Sequence, residues 1–203
     1  MILHPVLARV ARDLGGRRGV AEARRLGRAA LELSARLAHR PPILGDAFPR
    51  DAGRAPLPVR GAGTTWHWST TNTAGLAAAV VAPVRVGIDA EWLDRPRIHA
   101  PLEYFDPKER ALLGLDERRG VLALWSAKEA VLKARGVGMA GMGRVRVLTV
   151  DSRTAGDRRR LVASLDGELA SVELLWVGPH VLALACPIDD FEVEPAVLEG
   201  APA

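Results

Sequence analysis

Val86-Gly87-Ile88-Asp89-Ala90-Glu91, followed downstream by Trp125-Ser126-Ala127-Lys128-Glu129-Ala130-Val131-Leu132-Lys133, carries most of what the chain discloses. In the first stretch Val84, Val86 and Ile88 alternate with other residues, which predicts a strand. Residues two apart on a strand share a face, so Asp89 and Glu91 present their carboxylates side by side and invite a cation between them. The second stretch lies in a run from Gly120 to Arg135 with no interior Gly or Pro and many Leu, Ala, Lys and Glu residues, which predicts a helix. Trp125, Glu129 and Lys133 fall at successive four-residue steps and stack on one of its faces. Taken singly, the acidic pair is the polar end of a buried strand and Glu129 with Lys133 a solvated ion pair. Their combination, in this order, points to chemistry.

Composition narrows the setting. At 203 residues, with 48% hydrophobic and 26% charged side chains, the chain can bury a core as one domain or two small ones and belongs with soluble globular proteins. A formal charge of +4 suggests an anionic partner: nucleic acid, a membrane surface or a phosphorylated small molecule. Tyr104 is the only tyrosine, so no aromatic array for stacking on bases is evident. Cys186 is the only cysteine, which leaves no intrachain disulfide and no Cys-rich zinc site and fits a reducing cytoplasm. The start, Met1-Ile2-Leu3-His4-Pro5, lacks a basic region followed by a long apolar stretch, and no apolar run reaches the length of a membrane span.

Along the chain, Val6, Leu7, Val10 and Leu14 at helical spacing predict a short helix over residues 5–14, ended by Gly15-Gly16. A stronger amphipathic helix follows over Val20 to Leu37, with Ala23, Leu26, Ala30, Leu33 and Leu37 on one face and Arg24, Arg25 and Arg28 elsewhere. Pro41 to Gly63 is Pro- and Gly-rich loop or very short strand. Thr64 to Val81 predicts two strands meeting near Asn72-Thr73-Ala74-Gly75. Asp106-Pro107-Lys108-Glu109 has the form of a helix start, with Glu109 closing a capping box. Gly136 to Gly143 predicts a mobile loop, and Val145–Val150, Leu161–Leu165, Leu169–Val177 and Val181–Ala185 an antiparallel meander turning at Asp166-Gly167 and Gly178-Pro179. Asp189 to Ala203 has no periodicity and reads as a loose tail.

Gly87-Ile88-Asp89-Ala90-Glu91, then Phe105-Asp106-Pro107-Lys108-Glu109, then Trp125 to Lys133 with Gly136 and Gly138 after it, resembles the 4′-phosphopantetheinyl transferase superfamily, in its surfactin-synthetase-activating type. The resemblance implies an α+β fold of two similar α/β halves related by a pseudo-twofold, the first half short. The expected organisation is residues 1–63 as the N-terminal half, helical with a Pro/Gly-rich loop, 64–188 as the catalytic half binding metal and coenzyme A, and 189–203 as the tail. It further implies transfer of the 4′-phosphopantetheine arm of coenzyme A to a serine of an apo acyl or peptidyl carrier protein, with release of adenosine 3′,5′-bisphosphate. Asp89, Glu91 and Glu129 would hold Mg²⁺, with Mn²⁺ as a substitute, through hard carboxylate oxygens. Glu129 and Lys133 would be catalytic, the first activating the serine and the second steadying or protonating the leaving phosphate. Lys128 and Lys133 would meet phosphate, and Arg54 would stand where the family has a Gly-Lys-Pro lysine at the nucleotide end. Arg24 or Arg25, before Leu26-Gly27, matches a helix arginine that lends a cation to the coenzyme. Thr71-Asn72-Thr73 matches a phosphate-binding Ser-His-Ser turn with Asn72 in place of the histidine, and His67 is the rival position for it. A cytoplasmic enzyme with no nucleic-acid or membrane partner is the expectation.

Two other classes compete. A basic nucleic-acid-binding module is suggested by Arg17-Arg18, Arg24-Arg25 and Arg158-Arg159-Arg160, but a same-face carboxylate pair would repel a phosphate backbone. A family-shaped protein that only binds carrier or coenzyme A is suggested by Asn72 and the short first half, and the presence of Asp89, Glu91 and Glu129 together counts against it. The carrier's pathway, whether fatty-acid, polyketide or peptide synthesis, leaves no mark in the sequence.

Overall fold

The computed structural model describes residues 1–11, 16–39, 48–52, 55–61, 63–95, 104–114, 117–151, 156–187 and 191–198. The chain divides into two compact units, Met1–Val86 with Asp190–Ala203, and Gly87–Asp189.

In the first unit, β1 (Ile2–Leu3) and β2 (Val6–Arg9) precede α1 (Gly16–Leu37), then β3 (Val59–Gly61), β4 (Thr64–Thr73) and β5 (Leu76–Ala82). The helix expected over 5–14 is a strand over its first half. Val6, Leu7 and Ala8 are all buried, and β2 lies between two partners, so a short continuous apolar run becomes an interior strand. Leu14 lies outside the described residues. α1 follows its predicted periodicity, with Ala23, Leu26, Ala30 and Leu31 packed on Val6, Ala8, Trp68, Ala77, Ala79 and Val81 of the sheet. The hairpin between β4 and β5 also forms where expected, around Ala74-Gly75, with Gly75 at φ +83.

The C-terminal segment is not loose. β11 (Glu192–Val193) and β12 (Ala196–Val197) pair in parallel with β1 and β2, and Phe191 and Val193 are buried. The boundary expected at 63/64 falls elsewhere for a related reason. β4 and β5 belong to the sheet β12-β2-β5-β4-β3, so the backbone ladder keeps residues 64–86 with the N-terminal stretch.

The second unit contains β6 (Gly87–Trp92), α2 (Pro107–Leu112), α3 (Glu117–Arg135) and the meander β7 (Val145–Val150), β8 (Arg158–Leu165), β9 (Glu168–Val177), β10 (His180–Cys186). Its sheet runs β6-β10-β9-β8-β7. Asp166 at φ 53 and Gly167 at φ 88 make the two-residue reversal between β8 and β9, as a type I′ turn requires. In each unit an opening strand is followed by a helix laid on the sheet and by a meander whose last strand returns to the opening one, three strands long in the first unit and four in the second, which also has a second helix, α2. Of the segment predicted as a mobile loop, residues from Met139 on form a 3₁₀ turn, Met139–Arg144, in which Met142 is buried and Gly141 lies where a Cβ would strike Leu132 of α3. Among the described residues no helix is long and apolar enough to cross a membrane.

α3 is apolar on most of its circumference, with Val121, Leu122, Ala123, Leu124, Ala127, Ala130 and Val131 no more than 1% exposed, as befits a helix enclosed by its own unit. Where it meets β6 it presents Ala130 and Ala134, and β6 presents Gly87. A Cβ on Gly87 would collide with the Ala130 carbonyl oxygen and come within 2.6 Å of the Ala134 nitrogen. The backbones therefore touch, which is the spacing that lets α3 side chains reach the carboxylates of β6. Gly87→Ala is expected to destabilise the protein by about 1–3 kcal/mol, the usual cost of overpacking, in chemical denaturation; an unchanged midpoint would show that strand and helix are not in contact here.

Candidate active site

Strand alternation on β6 sends Asp89 and Glu91 to the α3 side, opposite Ala183 and Val181 of β10. Both are buried, at 4% and 8% exposure. α3 answers with Trp125, Glu129 and Lys133 on its facing stripe. The Lys133 ammonium donates to Asp89 Oδ1 at 2.6 Å and to the Ile88 carbonyl at 3.1 Å, and lies 3.6 Å from Glu129 Oε2. Arg95 Nη2 stands 3.1 Å from Glu91 Oε2. The four residues expected to meet, Asp89, Glu91, Glu129 and Lys133, are thus brought together. Arg95, four residues after Glu91, joins them.

Crowding of acids in a buried place leaves an electrostatic trace. Burial first, and then the charge of Asp89, raises Glu91 to about 7, with Arg95 opposing and Glu129 adding to the rise. Glu129 is raised as well, by burial and by Asp89, against the pull of Lys133; a hydrogen bond involving Trp125 favours its ionised form. Among the described residues no three acidic, His or Cys side chains are close enough, as they stand, to hold a metal ion. The donor set nonetheless suits one. It consists of hard carboxylate oxygens, and the Lys133 ammonium already stands in as a cation between Asp89 and Glu129.

Lys128 does not join this group. It is fully buried, its Nζ donating to Glu109 Oε2 and to the Tyr104 carbonyl, each at 2.8 Å. Burial pushes its pKa down while the Glu109 carboxylate pulls it back up. A helix turns about 100° per residue, so Lys128 faces α2 where Glu129 faces β6, and its charge is committed to Glu109 rather than to a phosphate. Glu109 completes the expected capping box, accepting from the Asp106 amide, and also accepts from the Val147 amide at 2.8 Å.

The first unit holds a separate cavity of about 460 Å³ lined by Arg24, Arg28, Arg50, Trp68, Thr71 and Asn72 among others. Arg50 lies over the Trp68 ring at 4.5 Å and donates to Thr70 Oγ1. Thr71-Asn72-Thr73 is the end of β4, paired with β5, rather than a turn. Thr71 and Asn72 line the cavity; Thr73 and His67 are not among its lining residues. Arg25 is ion-paired with Glu22, and Arg54 lies outside the described residues. Arg28 was legible as the four-residue neighbour of Arg24 on one helix face. Arg50 was not, since only the folded chain sets it on Trp68.

Residues 85–185, from β6 through most of β10, match the model of the 4′-phosphopantetheinyl transferase superfamily. A domain of that superfamily occupies the stretch that contains Asp89, Glu91, Glu109, Lys128, Glu129 and Lys133, and it supports a transferase. A search of curated proteins found no match to the chain.

The raised Glu91 has a consequence for stability. Its folded pKa, about 7, lies above the unsupported value of 4.5, so between these the folded state binds more protons than the unfolded one. In chelator, the stability of the wild type relative to Glu91→Gln should therefore fall as pH rises from about 4.5 to 7 and level off above. Thermal denaturation across this range checks it; a difference independent of pH would mean that Glu91 is not held protonated.

Proposed function

We propose that the chain is a phosphopantetheinyl transferase of the surfactin-synthetase-activating type, which moves the 4′-phosphopantetheine arm of coenzyme A to a serine of an apo acyl or peptidyl carrier protein. The observation that supports this reading is the facing of Asp89 and Glu91 on β6 by Glu129 and Lys133 on α3, inside a superfamily domain. The shared connectivity of the two units supports taking them as the two halves of the superfamily's pseudo-twofold fold.

In the reaction the serine oxygen bonds to the phosphorus that bears pantetheine, and the bond from that phosphorus to the bridging oxygen of the diphosphate breaks. Adenosine 3′,5′-bisphosphate leaves. Mg²⁺ or Mn²⁺, held by Asp89, Glu91 and Glu129, would neutralise the diphosphate and polarise it. Glu129, whose affinity for a proton is raised by burial and by Asp89, takes the serine proton directly or through a water. Lys133 passes from Asp89 to the leaving phosphate, where its ammonium offsets the charge that develops as the bond breaks.

The arginine-lined cavity of the first unit suits the phosphates of a nucleotide. Arg24, Arg28 and Arg50 supply cations, and Thr71 and Asn72 neutral donors.

Incubation with coenzyme A, Mg²⁺ and a panel of apo carrier proteins should add the mass of one phosphopantetheine arm to a carrier. Asp89→Ala, Glu91→Ala and Glu129→Ala should each lower kcat/KM by roughly a hundredfold or more, as loss of transition-state charge stabilisation does. Arg50→Ala should mainly raise the KM for coenzyme A. Full turnover in excess chelator, or wild-type rates from the carboxylate variants, would refute the assignment.

A further inference from the structure

Both named ends of the Phe105-x-x-x-Glu109 segment reach α3, and they do so at the residues that flank Glu129. Phe105, 3% exposed, packs its ring at a tilt of 54° against Trp125 with centroids 6.3 Å apart, and Trp125 stands one turn before Glu129 on the same helix face. Glu109, also 3% exposed, holds the ammonium of Lys128, the residue before Glu129. The same ammonium bonds the Tyr104 carbonyl and lies 5.4 Å from the centre of the Phe105 ring. The other Glu109 oxygen accepts from Val147 of β7, so one carboxylate ties α2, α3 and the edge of the sheet at a single point.

A cap alone does not need this. The Asp106 capping box closes with a single bond from Glu109 to the Asp106 amide, and that bond could be made on the surface. Burying a lysine and a glutamate to reach Lys128 as well is a poor route to stability, because desolvation of two charges offsets most of their attraction. What such a pair does impose is direction. An ammonium tied to a carboxylate and a carbonyl at 2.8 Å each allows α3 neither to roll nor to slide without breaking a buried charged bond. The stripe that would roll with it is Trp125, Glu129 and Lys133.

We infer that Glu109 is a positioning residue for the transfer reaction: through Lys128, and with Phe105 acting through Trp125, it fixes the rotation of α3 at which Glu129 faces Asp89 and Glu91. This rests on the reading of the chain as a phosphopantetheinyl transferase. The segment touches no reacting atom, and its influence is on the metal-binding and proton-accepting geometry of Glu129 rather than on coenzyme binding.

The test is the double variant Glu109→Gln/Lys128→Met, which removes both buried charges together and leaves an amide oxygen to accept from Val147. Mg²⁺ affinity by titration calorimetry, and kcat and KM for coenzyme A on a carrier that the wild type modifies, are measured beside thermal stability. The expected result is a folded protein with Mg²⁺ affinity and kcat each lowered roughly 10- to 100-fold, the range for residues that orient a ligand, and with KM for coenzyme A little changed. A folded double variant with wild-type Mg²⁺ affinity and kcat overturns the inference and leaves the pair a structural one. Should the double variant not fold, Phe105→Leu, which keeps an apolar side chain and loses the ring contact with Trp125, decides in the same way: lowered kcat and Mg²⁺ affinity support the inference, and wild-type values refute it. A wild-type chain that neither binds Mg²⁺ nor modifies any carrier refutes the underlying reading instead, and the inference with it.

Discussion

The contact on which the second unit depends is between two backbones. β6 and α3 approach until Gly87 lies against Ala130, a distance at which a single methyl group has no room. Helix and strand side chains are long enough to meet across an ordinary packing distance, but a buried acid then needs a partner that can cross it. Here the gap is small enough that Lys133 reaches the Ile88 carbonyl and the Asp89 carboxylate at once. The acidic face of β6 is therefore tolerable because the helix is near, and the helix is near because of residues that have almost no side chain. The site's chemistry and its steric frame come from the same few positions.

Lys128 and Lys133 show how little residue type says without position. They stand on one helix, and the first is sealed off at 0% side-chain exposure while the second keeps 30% and opens on the acids of β6. One is bound to a carboxylate that has further duties and cannot leave it cheaply; the other sits among several acids and can exchange one oxygen for another. A charge that must move during a reaction belongs at the second kind of place.

Much of this was legible in the sequence. The period of α1 and α3, the turn residues of the meander and the alternation through Asp89 and Glu91 are local signals, and the elements they predict are present. Readings failed where the deciding partner was remote. Val6-Leu7-Ala8 is too short for periodicity to separate strand from helix, and it becomes a strand because β5 and, from the far end of the chain, β12 lie on either side of it. Residues 192–197 have no pattern of their own for the same reason: their bonds go to Met1, Leu3 and Pro5. Gly136 to Gly143 has the composition of a free loop, yet Gly141 is the residue that fits between Leu132 and Val137. The place of Lys128 follows from which helix face meets α2, a matter of packing that no spacing within α3 encodes.

The return of the C-terminal strands to β1 and β2 makes the first unit a discontinuous domain, with the second unit inserted between its two parts in sequence. On the ribosome the inserted unit is fully synthesised while its host still lacks the residues that complete its sheet. The edge of β2 that β12 will cover stays open until Ala196 and Val197 emerge, and an open edge is a template for pairing with other chains. The order of folding that topology favours is insert first and host last, so changes in residues 191–198 would act on the assembly of a unit most of whose residues were made long before.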